Sequence, residues 1–110
     1  MPGLIRLLGK KVTVSANSSA TVIELQPPKG KTYHVIEVAF SLSGSGYYEV
    51  YINEQRIVER IEKEAIDIDS RRIVVNWELK EGDKLKIIAK DTSGSSNTAA
   101  VLVVFEESSG

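Results

Sequence analysis

The chain has no cysteine, one methionine, one histidine and three prolines among its 110 residues. The absence of cysteine excludes a disulfide framework, a zinc–thiolate centre and a thiol nucleophile. No apolar run is long enough for a transmembrane helix, so we expect no membrane partner. Residues 1–8 are too short for the apolar core of a secretion signal, and the lysines follow them. We therefore expect either synthesis in a cytoplasm or a leader that is removed.

The net charge is also low, because 14 lysines and arginines oppose 15 acidic residues. The charges are spread along the chain without a basic cluster, so we expect no nucleic-acid partner. Hydrophobic residues make up 42% of the chain, which excludes disorder. Isoleucine and valine supply half of that fraction, as is typical of β-sheets. The lack of cysteine together with abundant Ile, Glu, Lys and Arg is also typical of thermophile proteins.

Apolar and polar residues alternate through most of the chain, in segments separated by Gly, Ser, Asn and Pro. This pattern predicts about eight strands and an all-β fold, which we interpret as an antiparallel, jelly-roll-like β-sandwich. Residues 11–107 are predicted to form one domain, residues 1–10 an N-terminal arm or first strand, and residues 108–110 a disordered tail. One long strand over 31–42 is expected to turn four residues inward: Ile36, Val38, Phe40 and Leu42.

Residues 53–69 have two interpretations. The first is a hairpin, in which a tight turn joins strands at 47–52 and 56–61. The second is a helix, because four apolar residues also follow helical spacing: Ile57, Ile61, Ala65 and Ile68. Length and β-branching favour the hairpin.

Catalytic chemistry has little support in this sequence. A nucleophilic Ser or Thr needs an adjacent base, and the only histidine, His34, lies in the middle of a strand without a Gly-x-Ser-x-Gly motif. Glu37, Glu49 and Glu78 lie on outward strand faces, where solubility explains them better than a glycosidase pair does. We therefore predict that the protein is not an enzyme and has no catalytic residue.

A metal site has one candidate, Asp67 and Asp69 with Glu64 nearby, since calcium prefers clustered oxygen ligands. Two aspartates that flank an inward isoleucine are expected on any half-buried strand, so we predict no metal and no cofactor. The adjacent pair Arg71 and Arg72 suits ion pairs with the acidic stretch 59–69 better than it suits a ligand.

Aromatic residues offer a further candidate surface. Tyr47, Glu49 and Tyr51 fall on the outward face of one strand, with the two rings about 13–14 Å apart. That distance is wide for one sugar ring but fits a glycan chain, while exposed tyrosines are also frequent at protein interfaces. A protein interface, an ordinary surface and a glycan site all remain open. Trp77 is expected in the core, because its spacing places it on the same strand face as Ile73, Val75 and Leu79.

The last strand is apolar on both faces. Val101, Val103 and Phe105 form one face, and the other carries Ala100, Leu102 and Val104. Such a strand needs cover from a loop, a symmetric subunit or another chain's N-terminal arm. We expect mutual coverage between copies, through an interface of seven residues: Leu4, Ile5, Leu7, Leu8, Ala100, Leu102 and Val104.

The segment WELKEGDKLKII at 77–88, followed by DTSG at 91–94 and a closing apolar strand, resembles the jelly-roll modules of virion proteins. These include capsid decoration, turret and fibre subunits, and the resemblance extends loosely to C1q/TNF-like trimer domains. It covers about residues 31–106 and implies a non-enzymatic structural subunit, located in a virion, that contacts itself and another structural protein. Combined with the composition, it implies a virus of a thermophile.

Two alternatives to a virion subunit remain. One is an extracellular filament subunit completed by a neighbour's strand. The other is a carbohydrate-binding module that uses Tyr47, Tyr51 and the Ser/Gly loops.

Overall fold

The computed structural model describes residues 3–63 and 72–109, which form two four-stranded antiparallel sheets. The strands are β1 (Leu4–Val14), β2 (Ser19–Leu25), β3 (Lys31–Leu42), β4 (Gly46–Ile52), β5 (Gln55–Glu62), β6 (Arg72–Leu79), β7 (Leu85–Asp91) and β8 (Asn97–Ser109). Sheet 1 has the order β1-β8-β3-β6, and sheet 2 has the order β2-β7-β4-β5. This is the strand order of a jelly roll, so the predicted all-β sandwich of about eight strands is confirmed.

The core lies between the two sheets. Alternate residues of each strand point into it, and the central strands β3, β4, β7 and β8 supply most of the fully buried side chains. Two pairs of rings pack there, with centroids 4.9 Å apart for Phe40 and Tyr48 and 4.6 Å apart for Tyr33 and Phe105. As predicted, Val101, Val103 and Phe105 of β8 are buried. Trp77 lies on an edge strand and is only partly buried against the core.

A β-bulge in β3 changes which of its residues face the core. The register with β8 shifts between Val35 and Glu37, so Ile36 is an extra residue. Since one extra residue reverses the alternation, Tyr33 and Val35 are buried before the bulge and Val38 is buried after it. The prediction that Ile36 shares the inward face is therefore wrong, whereas the other three predicted residues of that strand are buried: Val38, Phe40 and Leu42.

Both ends of the chain belong to sheet 1. Residues 4–10, predicted as an arm or a first strand, are part of β1 and pair with β8 from Leu4↔Glu107 onward. At the other end, Ser108 and Ser109 pair with Thr32 and Lys31 of β3. The predicted disordered tail is therefore wrong for residues 108 and 109, because β3 extends far enough to give them backbone partners. Residue 110 lies outside the described ranges.

The hairpin interpretation of residues 53–62 agrees with the structure. β4 and β5 are antiparallel neighbours, joined at Asn53 and Glu54. Both residues have positive φ, 52° and 67°, as a two-residue type I′ turn requires. Residues 64–71 lie outside the described ranges, and with them the remainder of the helical alternative and the candidate ligands Glu64, Asp67 and Asp69. In the ranges that are described, no helix has the length and apolarity needed to cross a membrane.

Candidate functional site

The surface of sheet 1 that points away from sheet 2, here called the outer face, brings together apolar residues from all four strands. Directly opposed residues share a face, so the register defines its rows. One row runs Gly9, Leu102, Ala39 and Arg72 across β1, β8, β3 and β6. The next row runs Leu7, Val104, Glu37 and Val74. The centre of the outer face is therefore largely apolar.

The outer face is open to solvent at its margins. Leu7 is 67% exposed and Val74 is 84% exposed, while Leu102 and Val104 on the central strand β8 are half-buried by their neighbours. A depression of about 650 Å³ lies where the residues are small, at Gly9, Ala39 and Ala100. It adjoins a second depression of about 320 Å³ beside Leu7 and Val104.

The structure separates the seven predicted interface residues into two groups. Five of them lie on the outer face: Ile5, Leu7, Ala100, Leu102 and Val104. Leu4 and Leu8 lie on the other face of β1, opposite Glu107 and Val103. Leu8 packs against the core and Leu4 is 62% exposed. Grouping these two with the other five is therefore wrong, because side chains alternate along a strand.

The charged residues around the apolar centre differ in sign between the two ends of the outer face. Lys11 lies opposite Ala100 at one end of the outer face, and Arg72 lies beside Ala39 near the same end. Glu106 and Glu78 lie at the other end, on either side of His34. Lys11 and Glu106 make no ion pair within the described ranges, whereas Arg72 Nη1 lies 3.5 Å from Glu37 Oε1 and Lys80 Nζ lies 3.9 Å from Glu78 Oε1. The face thus has a basic end and an acidic end.

His34 also lies on the outer face, and its imidazole Nε2 is hydrogen-bonded to Oδ1 of Asn76. Because an amide oxygen accepts, the ring donates here through Nε2–H. This contact holds the ring against β6 and does not join the histidine to a hydroxyl nucleophile. Among the described residues, no group of three or more His, Asp and Glu side chains is arranged to hold a metal ion.

The predicted aromatic face of β4 is not an open pair of rings. Tyr47 is 7% exposed, because the guanidinium of Arg60 on β5 lies 4.2 Å from its ring centroid. Glu49 is held by an ion pair with Arg56, at 3.1 Å between Oε2 and Nη1. Tyr51 alone of the two rings borders a depression, of about 530 Å³, on the outward side of sheet 2. Tyr47 therefore lies on the outward face, as predicted, but its ring is covered by Arg60 and is not open to a ligand.

The sequence interpretation missed the role of Asp91, whose side chain is 1% exposed at one end of the sandwich. Its Oδ1 accepts hydrogen bonds from Ser93 N, Ser93 Oγ and Asn97 Nδ2, at 3.1, 2.5 and 3.0 Å. Its Oδ2 accepts from Asn17 N at 2.8 Å and Gly94 N at 3.1 Å. The Ser93 hydroxyl, followed by the Asn17 amide, holds the pKa of Asp91 well below its ordinary value.

With five donors on two oxygens, this carboxylate organises loops and has no lone pair directed at a ligand. The Asp-x-Ser-Gly pattern at 91–94 was the available sequence signal, since aspartate side chains often bond to the backbone two residues later.

No protein-family model and no curated protein matches the chain. Solved structures are similar in fold. A chain from the acid-stable capsid of Helicobacter pylori bacteriophage KHP30 has a TM-score of 0.56 at 12% identity, with 100% of this chain and 97% of that chain covered. A part of dimeric latent PorU from Porphyromonas gingivalis has a TM-score of 0.52 at 11% identity, with 99% of this chain but 13% of that chain covered.

A more distant likeness is to the Drosophila NLP core, described with pentamer formation and histone binding, at a TM-score of 0.41 and 15% identity. It covers 91% of this chain and 97% of that one. At these identities the likenesses show the fold, an antiparallel β-sandwich, and the third is too distant to support an argument.

Proposed function

We propose that the protein is a non-enzymatic structural subunit that self-associates through the outer face of sheet 1 within a larger particle. The particle we propose is the virion of a thermophilic virus, in which the chain is a capsid or decoration protein that also contacts another structural protein. The observation that carries this proposal is the cluster of exposed Leu7 and Val74 around half-buried Leu102 and Val104.

The energetic argument follows from the hydrophobic effect. Burial of a leucine or valine side chain contributes about 1.5–3 kcal/mol relative to exposure. Several such side chains on one flat surface offset part of the loss of rotational and translational freedom on association, which costs at least about 4 kcal/mol. The described chain leaves Leu7 two-thirds exposed, so it does not provide this cover for itself.

The particle context is supported by the phage capsid chain, which matches over nearly its whole length. A jelly roll that aligns with a capsid chain over its whole length suits a subunit whose role is to contact neighbouring subunits. The composition, rich in Ile and charged residues and without cysteine, supports the thermophilic origin.

The two alternatives have weaker support. A glycan-binding face would rest on Tyr51 alone, since Arg60 covers the ring of Tyr47. A filament subunit completed by a neighbour's strand would need a sheet with a missing strand. Here β8, the doubly apolar strand, already pairs with β1 and β3 of its own chain.

The test is the solution mass by light scattering after size exclusion, over a concentration series, for the unmodified chain and two variants. Leu7→Glu places a charge on the outer face and is expected to shift the protein towards monomer. Leu4→Glu is the matched control, because Leu4 lies on the same strand with similar exposure but on the opposite face. A monomer at every concentration, or an equal loss in both variants, would contradict the proposal.

A further inference from the structure

We infer that the outer face binds a second copy of this chain in an antiparallel, two-fold arrangement, with Lys11 of each copy next to Glu106 of the other. The inference rests on the proposed self-association and adds its geometry. In this dimer, sheet 1 of one copy is stacked on sheet 1 of the other. The two-fold axis lies between these two sheets and runs perpendicular to their strands. Each β1 then lies over the second copy's β1, and the ends of the two faces are exchanged.

The first observation is the order of charges along the strands. Lys11 opposes Ala100, and Glu106 follows Ala100 by six positions on β8, about 20 Å away along the strand. The apolar residues Leu102 and Val104 lie between these two ends. Arg72 lies on the Lys11 side of the centre, and Glu37 lies one row closer to Glu106.

Only one of the two face-to-face two-fold arrangements matches these charges. An axis parallel to the strands keeps each row opposite the same row, so the basic end meets a basic end and the acidic end an acidic end. Like charges brought together at an interface oppose association. An axis perpendicular to the strands reverses the rows, so Lys11 approaches Glu106 of the second copy, and the contact occurs twice by symmetry.

The second observation is the complementary shape of adjacent rows. When the two-fold axis passes between these two rows, the row of Gly9 and Leu102 in one copy lies opposite the row of Leu7 and Val104 in the other. Leu7 of one copy then projects towards the depression at Gly9 of the other, a residue that has no side chain of its own. Leu102 meets Val104 at the centre. A large residue therefore faces a small one on β1, which is the packing that apolar sheet faces need.

The footprint predicts a weak interface. Between the rows of Lys11 and Glu106 it spans about 20 Å along the strands and about 19 Å across four strands. The area enclosed by these two lengths is smaller than the area of about 800 Å² that each partner buries in a stable complex. We therefore expect a concentration-dependent dimer, strengthened in a particle by simultaneous contacts to other subunits.

The experiment uses charge reversal and measures the dimer dissociation constant by sedimentation equilibrium. Lys11→Glu and Glu106→Lys, made separately, each replace two attractive contacts by two repulsive ones and should weaken the dimer by about tenfold or more. A mixture of these two variants restores both attractive contacts in the heterodimer, as does the double variant in its homodimer. Both should return to within about threefold of the unmodified affinity. Lys29→Glu, a change at an exposed turn residue away from the outer face, is the control and should have no effect.

The outcomes separate this inference from the proposal beneath it. A chain that is monomeric at every concentration overturns both. If the single charge reversals leave the dissociation constant of the oligomer unchanged, or if the mixture does not recover the unmodified affinity, the antiparallel arrangement is wrong. Self-association is not contradicted by either result. A trimeric or pentameric mass also overturns the two-fold arrangement.

Discussion

Asn97 Nδ2 donates a hydrogen bond to Asp91 Oδ1 across 3.0 Å, inside the end of the sandwich. The same amide donates to Ser45 O at 3.0 Å, and its oxygen accepts from Ser43 Oγ at 3.0 Å and Gly44 N at 2.7 Å. Asp91 in turn holds the Asn17 amide. Two adjacent buried side chains thus connect three loops, at 15–18, 43–45 and 92–96.

Replacement of Asn97 by Ala should lower the free energy of unfolding by about 2–3 kcal/mol. The change leaves the Gly44 amide without its acceptor and removes one of the three donors to Asp91 Oδ1. Urea unfolding followed by tryptophan fluorescence measures it. Ser95→Ala, on the exposed part of the neighbouring loop, is the comparison and should change stability by less than about 0.5 kcal/mol. Equal effects of the two changes would contradict the bridging role of Asn97.

Because of Asp91, the free energy of unfolding should depend on pH in the acid range. Its folded-state pKa is lowered from 3.8, chiefly by the Ser93 hydroxyl. A lowered pKa means that the carboxylate stabilises the fold fully above about pH 4, and that this contribution is lost as pH falls towards the folded-state value. Asp91→Asn should be less stable than the unmodified chain at neutral pH, and the difference should shrink as the pH falls below about 4. Urea midpoints across that range measure it, and a constant difference would show that the charge is not involved.

Tyr48→Phe tests a hydrogen bond between the two sheets. The Tyr48 hydroxyl, from sheet 2, shares its one proton between Ser41 O at 2.6 Å and Ala100 O at 3.2 Å in sheet 1, and burial raises the pKa of the phenol above its ordinary value. Loss of the hydroxyl should destabilise by about 1–2 kcal/mol. Tyr51→Phe, on the outward side of β4, is the matched control and should lie within about 0.5 kcal/mol of the unmodified chain. Thermal and urea unfolding distinguish the two variants.

Gly46→Ala should disrupt the pairing of β4 with β7. A Cβ at this position would lie 2.1 Å from Lys90 O and 2.9 Å from Leu42 Cδ2, so backbone must move. We expect a loss of about 2–3 kcal/mol in unfolding free energy, measured by urea unfolding. Gly9→Ala is the control, since its Cβ would meet Leu102 Cδ1 at an ordinary 3.6 Å, and its unfolding in dilute solution should be unchanged. A Gly46→Ala variant as stable as the control would contradict the close approach.

Much of the fold was accessible from local patterns. The alternation of apolar residues identifies strands without knowledge of their partners, and the glycines and asparagines between them identify turns. The buried and half-buried faces of β8 follow the predicted alternation, from Val101 to Phe105. The bulge at Ile36 was not accessible, because an inserted residue shows only in the register with β8.

The candidate site was accessible only in part. The sequence identified Leu102 and Val104 as a second apolar face but grouped Leu4 and Leu8 with Leu7. Which β1 residues share that face depends on pairing with β8, a strand about a hundred positions away. The covering of Tyr47 by Arg60 depends likewise on the register of β5.

By itself the amino-acid sequence determined the strand content, the turns, the low net charge and the presence of a doubly apolar last strand. These properties arise from side-chain size and polarity within a few neighbouring residues. The tertiary structure alone decided the strand order, the bulge in β3, the rows of the outer face and the joining of Asp91 to Asn97. Hydrogen bonds between distant strands settle those features, because one step of register exchanges every residue between core and solvent.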